Sequence, residues 1–173
     1  MQSATRSALT PEFVVLYREL ILSTIAAEMQ ATKRVIAAVP EDRKNYKPDP
    51  KSRSAHELAW HIVNDDVVFL NKIADMRLEM TPPEPPPATM AEILKWYELN
   101  LPRAIQRVGR MTADQLLTPI SFFGVMEEPV FQYLMLINNH SVHHRGQLSA
   151  YLRSMGSRVP SIYGDSADVP FQP

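Results

Sequence analysis

The chain has 173 residues, 45% hydrophobic and 21% charged, with a formal net charge of −1. That is apolar material for one substantial core, and the near-zero balance offers no field to gather nucleic acid or an anionic membrane. The absence of cysteine excludes disulfides, thiolate ligands and cysteine nucleophiles, and fits a reducing cytoplasm.

Fifteen prolines and only five glycines punctuate the chain, with clusters at 40, 48 and 50, at 82–87 and near 160–173. Proline cannot continue a helix interior, so these clusters mark connections. Residues 1–9 carry one Arg and no apolar segment, which predicts a flexible tail and not a signal peptide. Thr10-Pro11-Glu12 then supplies a cap, a proline for the first helical position and a carboxylate on the positive end of the dipole. Phe13, Tyr17, Leu20, Thr24, Ala27 and Ala31 follow at spacings of three and four, predicting the inward stripe of a first helix that ends near Val39-Pro40. The stretch Arg43 to Arg53, five cations with Asp42 and Asp49, reads as a solvated loop.

A second helix is expected from the capping box Ser54-x-x-Glu57 to about Met76, with an inward stripe of Leu58, His61, Ile62, Asp65, Val68, Phe69 and Lys72 or Ile73. Thr81–Pro87 reads as a stiff linker crossing an end of a bundle. Thr89-x-x-Glu92 opens a third helix, which Pro102 should kink or split, and Thr112-x-x-Gln115 caps a further short turn. Residues 118–127 predict an ordered loop or short extended piece. The last long helix starts at Glu128-Pro129 and runs to about Met155, with Gly156 as the residue that ends it. The segment 157–173 looks irregular, with Ile162, Tyr163 and Phe171 as apolar anchors. The Met-rich positions (Met29, Met76, Met80, Met135) read as core filling, and Trp60 and Trp96 as core or dimer contacts. The whole predicts an all-α four-helix bundle forming one domain over 1–173.

All five histidines fall in two of these helices. On the last, Tyr133, Ile137, His140, His144, Leu148 and Tyr151 share a face, so His140 and His144 stack one turn apart with their imidazoles pointing the same way. That is how a helix offers two nitrogens to one cation, and His61 on a facing core stripe could supply a third. A single core histidine is ordinarily a satisfied polar residue. Three inward imidazoles are harder to leave dry and unpaired, which favours a divalent metal. The ligand set suits zinc or nickel, with iron, cobalt and manganese as further candidates. Asp65, one turn after His61, either orients an imidazole or faces solvent, and Gln147 flanks the pair. His143 lies about 100° around the helix from His144 and is expected at the rim. Arg145 either contacts an anionic substrate or makes a surface ion pair. His56, in a first helical turn, is expected at the surface.

Ser54-Ala-His-Glu-Leu-Ala-Trp-His61-Ile, Asn139-His140-Ser-Val-His-His144-Arg-Gly-Gln147 and Val159-Pro-Ser-Ile-Tyr-Gly164 together resemble the DinB/YfiT-like superfamily. The resemblance implies an up-down-down-up four-helix bundle, usually a homodimer. It also implies a metal on one histidine of the second helix and an H-x-x-x-H pair of the last, here His61, His140 and His144. Characterised relatives include thiol-dependent transferases and isomerases using mycothiol or bacillithiol, and the damage-inducible name implies a stress context. The expected function is therefore that of a metal-dependent enzyme, acting as a small-molecule hydrolase or a low-molecular-weight-thiol transferase. The rival is a non-catalytic metal- or ligand-binding stress protein. Neither nucleic acid nor membrane is expected as a partner.

Overall fold

A computed structural model describes residues 9–170, so the predicted anchor Phe171 and all of the tail but Leu9 lie outside the described residues. The chain is mostly helical. In order it forms α1 (Pro11–Ala37), α2 (Ala55–Ala74), α3 (Met90–Gly109), the short α4 (Ala113–Leu117), β1 (Pro119–Phe122), β2 (Met126–Pro129) and α5 (Val130–Leu152). Among the described residues no helix is long and apolar enough to cross a membrane.

The helix starts follow the local chemistry. Thr10 Oγ1 accepts from the Phe13 amide, and capping boxes close at Ser54/Glu57, Thr89/Glu92 and Thr112/Gln115. Gly156, at φ 78°, ends the 3-10 turn that extends α5. Pro102 does not split α3, which is continuous past it. Its ring lies on the exposed face, where water can take up the carbonyl that loses its partner. The stretch expected as extended at 118–127 turns back within itself, and β1 and β2 pair as an antiparallel hairpin. Phe123 and Gly124 both have positive φ, and the Val125 amide bonds back to the Phe122 carbonyl, a type I′ turn.

The inward stripe expected on α1 is rotated by about one residue. Phe13 and Leu20 are about half or more exposed, and the buried line is Val14, Arg18, Ile21, Ile25, Met29, Thr32 and Val35. Arg18 and Thr32 are the reason: read as polar, they hide the true stripe, yet both are buried. The Arg18 guanidinium donates to the Met111 carbonyl at 2.5 Å. Met80 and Met135 are exposed and do not fill the core as expected, whereas Met29 does.

The proline segment runs along α2 and does not cross an end. Lys72 Nζ donates to the Glu79 carbonyl, Trp60 Nε1 to the Glu84 carbonyl, and the His56 ring meets the Pro87 carbonyl at 2.8 Å. From residue 72 back to 56 is about 24 Å of helix at 1.5 Å per residue. The strap thus carries the chain back to the level where α2 began, and α3 starts there. His56 is half-buried as its fastener, not a free surface group.

A string of buried polar groups joins the helices inside the core. Asp66 of α2 accepts from the Tyr97 hydroxyl of α3 at 2.6 Å and from Ser141 of α5 at 3.2 Å. Arg145 of α5, 1% exposed, ion-pairs with Glu28 of α1 at 2.5 Å and also reaches Thr32 and the Tyr163 hydroxyl. Burial raises the Asp66 carboxyl to about 7, opposed by the hydrogen bonds from Tyr97 and Ser141; Asp65 adds to the rise and Arg145 opposes it. A folded-state value above the unfolded one means that the native state holds the proton longer. Stability contributed by this group is therefore full below about 3.8 and lost as pH rises towards 7. The loss is up to about 4 kcal/mol, at about 1.4 kcal/mol for each pH unit crossed. Asp66→Asn keeps an acceptor for Tyr97 and Ser141 and should flatten this slope in urea denaturation at pH 5 and pH 8. An unchanged slope would show that Asp66 is not its source.

Candidate metal centre

His61 projects from the middle of α2, and His140 and His144 from successive turns of α5, across the seam between the two helices. Their Nε2 atoms converge. His61 Nε2 lies 3.2 Å from His140 Nε2 and 3.2 Å from His144 Nε2, and the three nitrogens all lie within 4.8 Å of one another. Two nitrogens bound at about 2.05 Å to a tetrahedral ion would stand about 3.3 Å apart, so the spacing fits one shared cation.

The other ring nitrogens explain why. His61 Nδ1 faces Asp65 Oδ2 at 3.2 Å, and His144 Nδ1 faces Gln147 Oε1 at 2.7 Å. Both partners are acceptors, so each Nδ1 carries the proton and each Nε2 presents a lone pair. Two lone pairs 3.2 Å apart repel unless a proton or a metal cation lies between them. Burial is the first cause that lowers His140, to about 4, with the charge of His144 next; burial likewise lowers His144. The imidazoles at 140 and 144 are thus held neutral, the form that binds a metal. The residues present fit a divalent ion by the chemistry of the donor set. His140 Nδ1 has no hydrogen-bond partner among the described residues, so its ring is set by packing, with Phe69 6.4 Å away centroid to centroid.

Of the accessory residues read from the sequence, Asp65 and Gln147 contact the triad as described, and Asp65 Oδ2 also lies 3.5 Å from His140 Nε2. His143 is exposed and meets only the edge of the His144 ring, 4.9 Å between centroids. Arg145 is neither a surface ion pair nor directed at the imidazoles. One residue on from His144 it points about 100° away, into the core towards α1, where Glu28, Thr32 and Tyr163 engage it. Asp66 is overshadowed in the sequence by its neighbour Asp65, which sits on the histidine line. The signal was present: Ala59, Val63, Asp66, Leu70 and Ile73 form a buried stripe of their own.

The model of the DinB family matches residues 7–169. Two Bacillus subtilis proteins are similar in sequence: YjoA, 26% identical over 83% of this chain and 94% of its own length, and YrdA, 24% identical over 82% and 84%. The crystal structure of the DinB-like YjoA superposes with a TM-score of 0.67 over 88% of this chain and 96% of the other. A DinB-like protein from Bacillus cereus, 24% identical, shares the fold with a TM-score of 0.68 over 84% and 97%. The three-histidine cluster is compatible with a metal-binding protein, and the chain belongs to the DinB family.

Proposed function

We propose that this protein is a divalent-metal-dependent enzyme in which His61, His140 and His144 hold the ion, zinc or nickel first among the candidates, and iron, cobalt or manganese after them. The observation that carries this reading is the pair of Nε2 lone pairs facing each other while Asp65 and Gln147 take the opposite ring positions. Three protein ligands leave coordination positions free. A cleft of about 520 Å³ reaches the site at His144 and Gln147, large enough for a small molecule. A bound ion would supply Lewis acidity there, favouring loss of a proton from water or a thiol.

The chain's own groups would do the rest. Asp65 holds the His61 ring by its Nδ1 proton, and its carboxylate stands close enough to the triad to take a proton released there. Gln147 fixes His144 in the same way, and Phe69 walls the His140 side. The reaction we favour is hydrolysis of a small substrate or transfer of a low-molecular-weight thiol, in the cytoplasm, by a single domain. An up-down-down-up bundle is supported by the contacts Trp60–Trp96 and Asn71–Arg107 between α2 and α3, and Tyr17–Phe131 and Glu28–Arg145 between α1 and α5. Each couple's two contacts come in the same order along both of its helices, so the two helices run in one direction. A second copy of the chain would cover Phe13, Leu16 and Leu20 of α1 and Met135 and Leu136 of α5, which are 39–67% exposed.

The test is a chelated protein reloaded with each metal in turn, assayed on a panel of small esters, lactones, amides and thiol acceptors, with its mass read by light scattering. Activity should return with at least one metal and be lost in His144→Ala, at twice the chain's 19.6 kDa. A fully loaded protein silent across the panel would favour the non-catalytic metal-binding reading, and a monomer mass would remove the homodimer.

A further inference from the structure

The cleft at His144 has a cationic wall. The loop before α2 contributes Lys51, Ser52 and Arg53, opposite His144, Gln147 and Tyr151 of α5. Three of the five cations of the solvated stretch have an ion-pair partner. Arg43 faces Asp42 at 3.9 Å, Lys44 faces Glu41 at 2.5 Å, and Lys47 faces Glu57 at 3.3 Å. The Lys51 ammonium and the Arg53 guanidinium, the two that line the cleft, have no carboxylate or hydrogen-bond partner among the described residues. Glu57 in the first turn of α2 is taken by Lys47 and the Ser54 amide.

The loop is pinned where it stands. The Ala55 amide bonds to the Tyr46 carbonyl at 3.0 Å, His56 to Lys44 at 2.8 Å, and Lys51 to the Asp49 carboxylate at 2.8 Å. The Tyr46 ring meets Tyr151 of α5 edge-on at 5.9 Å. This clamps the loop to the helix that carries His140 and His144. Asp65 is the one carboxylate that contacts the triad among the described residues, so with a divalent ion bound the ion, Lys51 and Arg53 would together leave the cleft positively charged.

The geometry points to an anion subsite in which Lys51 and Arg53 hold a carboxylate of a small substrate whose other end reaches the three imidazoles. This deepens the metalloenzyme reading and rests on it for the position of the substrate's reactive end. The substrate class is a compact molecule with at least one carboxylate a few bonds from its metal-seeking group, and about 520 Å³ accommodates it. Arg53 supplies a planar fork suited to a carboxylate, and Lys51 a mobile point charge.

Two titrations test it on untagged full-length protein. Cobalt-loaded protein is titrated with mercaptosuccinate, a dianionic thiol, and with thioglycerol, a neutral one, following cobalt–thiolate absorption. The wild type should bind mercaptosuccinate at least about 10-fold more tightly, and Lys51→Gln/Arg53→Gln should erase that preference while leaving the thioglycerol affinity unchanged. Equal affinities in the wild type, or a preference that survives in the double variant, would overturn the subsite. The second arm uses metal-free protein and succinate, read by histidine-ring NMR shifts. Saturable shifts in the wild type, weakened about 10-fold in the double variant, support the subsite, and their absence overturns it. This arm needs no ion, so failure to take up cobalt would count against the metal reading alone.

Discussion

His144→Ala should reduce bound metal from about one ion per chain to less than about a tenth of one, because two imidazoles that remain cannot close a site built for three. Loss of affinity should exceed the roughly 10–100-fold that removing a hydrogen-bond partner of a ligand costs. Asp65→Asn and Gln147→Ala provide that lower scale. Each removes the group that holds a ring by its Nδ1 proton, and each should retain the ion with affinity weakened about 10–100-fold in competition with a chromophoric chelator. His143→Ala, at the exposed rim, should leave affinity within about 3-fold of the wild type, since second partners of ligands are where the larger losses arise. A graded series with His144 at the top is the signature of a shared cation. Equal effects at 143 and 144 would instead mean that the cluster does not bind metal as a unit.

The second large effect is on stability. Arg145→Met should cost about 3–5 kcal/mol, because it strands Glu28 and takes away the cation that helps to offset Asp66. For a chain of this length that is a fall in melting temperature of roughly 10 °C. The companion substitution Glu28→Gln in the same chain should recover part of the loss, since it removes the stranded charge. Metal content should stay unchanged in both, as Arg145 points to α1 and not to the imidazoles. A melting temperature within about 2 °C of the wild type would show that the buried pair contributes little.

Much of this molecule is legible in its residues because its punctuation is local. Ser54/Glu57, Thr89/Glu92 and Thr112/Gln115 each fix a helix start with two hydrogen bonds inside four residues, and the start needs no tertiary context. The i, i+4 spacing of His140 and His144 fixes their common direction for the same reason. That His61 meets them, and that Asp65 and Gln147 take the far ring nitrogens, depends on how α2 docks on α5, a relation periodicity only suggests.

What stayed hidden is the buried charge. Arg18, Asp66 and Arg145 all lie on stripes that face the core, and nothing local marks them as buried, because each finds its partner on a distant segment of the chain. Met111, Tyr97 and Glu28 are 31 to 117 residues away along the chain, beyond the reach of any local pattern. On α1 that omission rotated the inward face by one residue. The proline segment shows the same limit: its stiffness is evident from composition, but its path is set by the Trp60 indole, the His56 ring and the Lys72 ammonium, each meeting a backbone carbonyl.

The most direct test is elemental analysis of untagged, unheated protein after incubation with zinc or nickel and removal of the excess. One equivalent of metal per chain, absent from His144→Ala, is the expected result. A wild-type protein that emerges from the same treatment without metal would contradict the assignment of His61, His140 and His144 as a shared site.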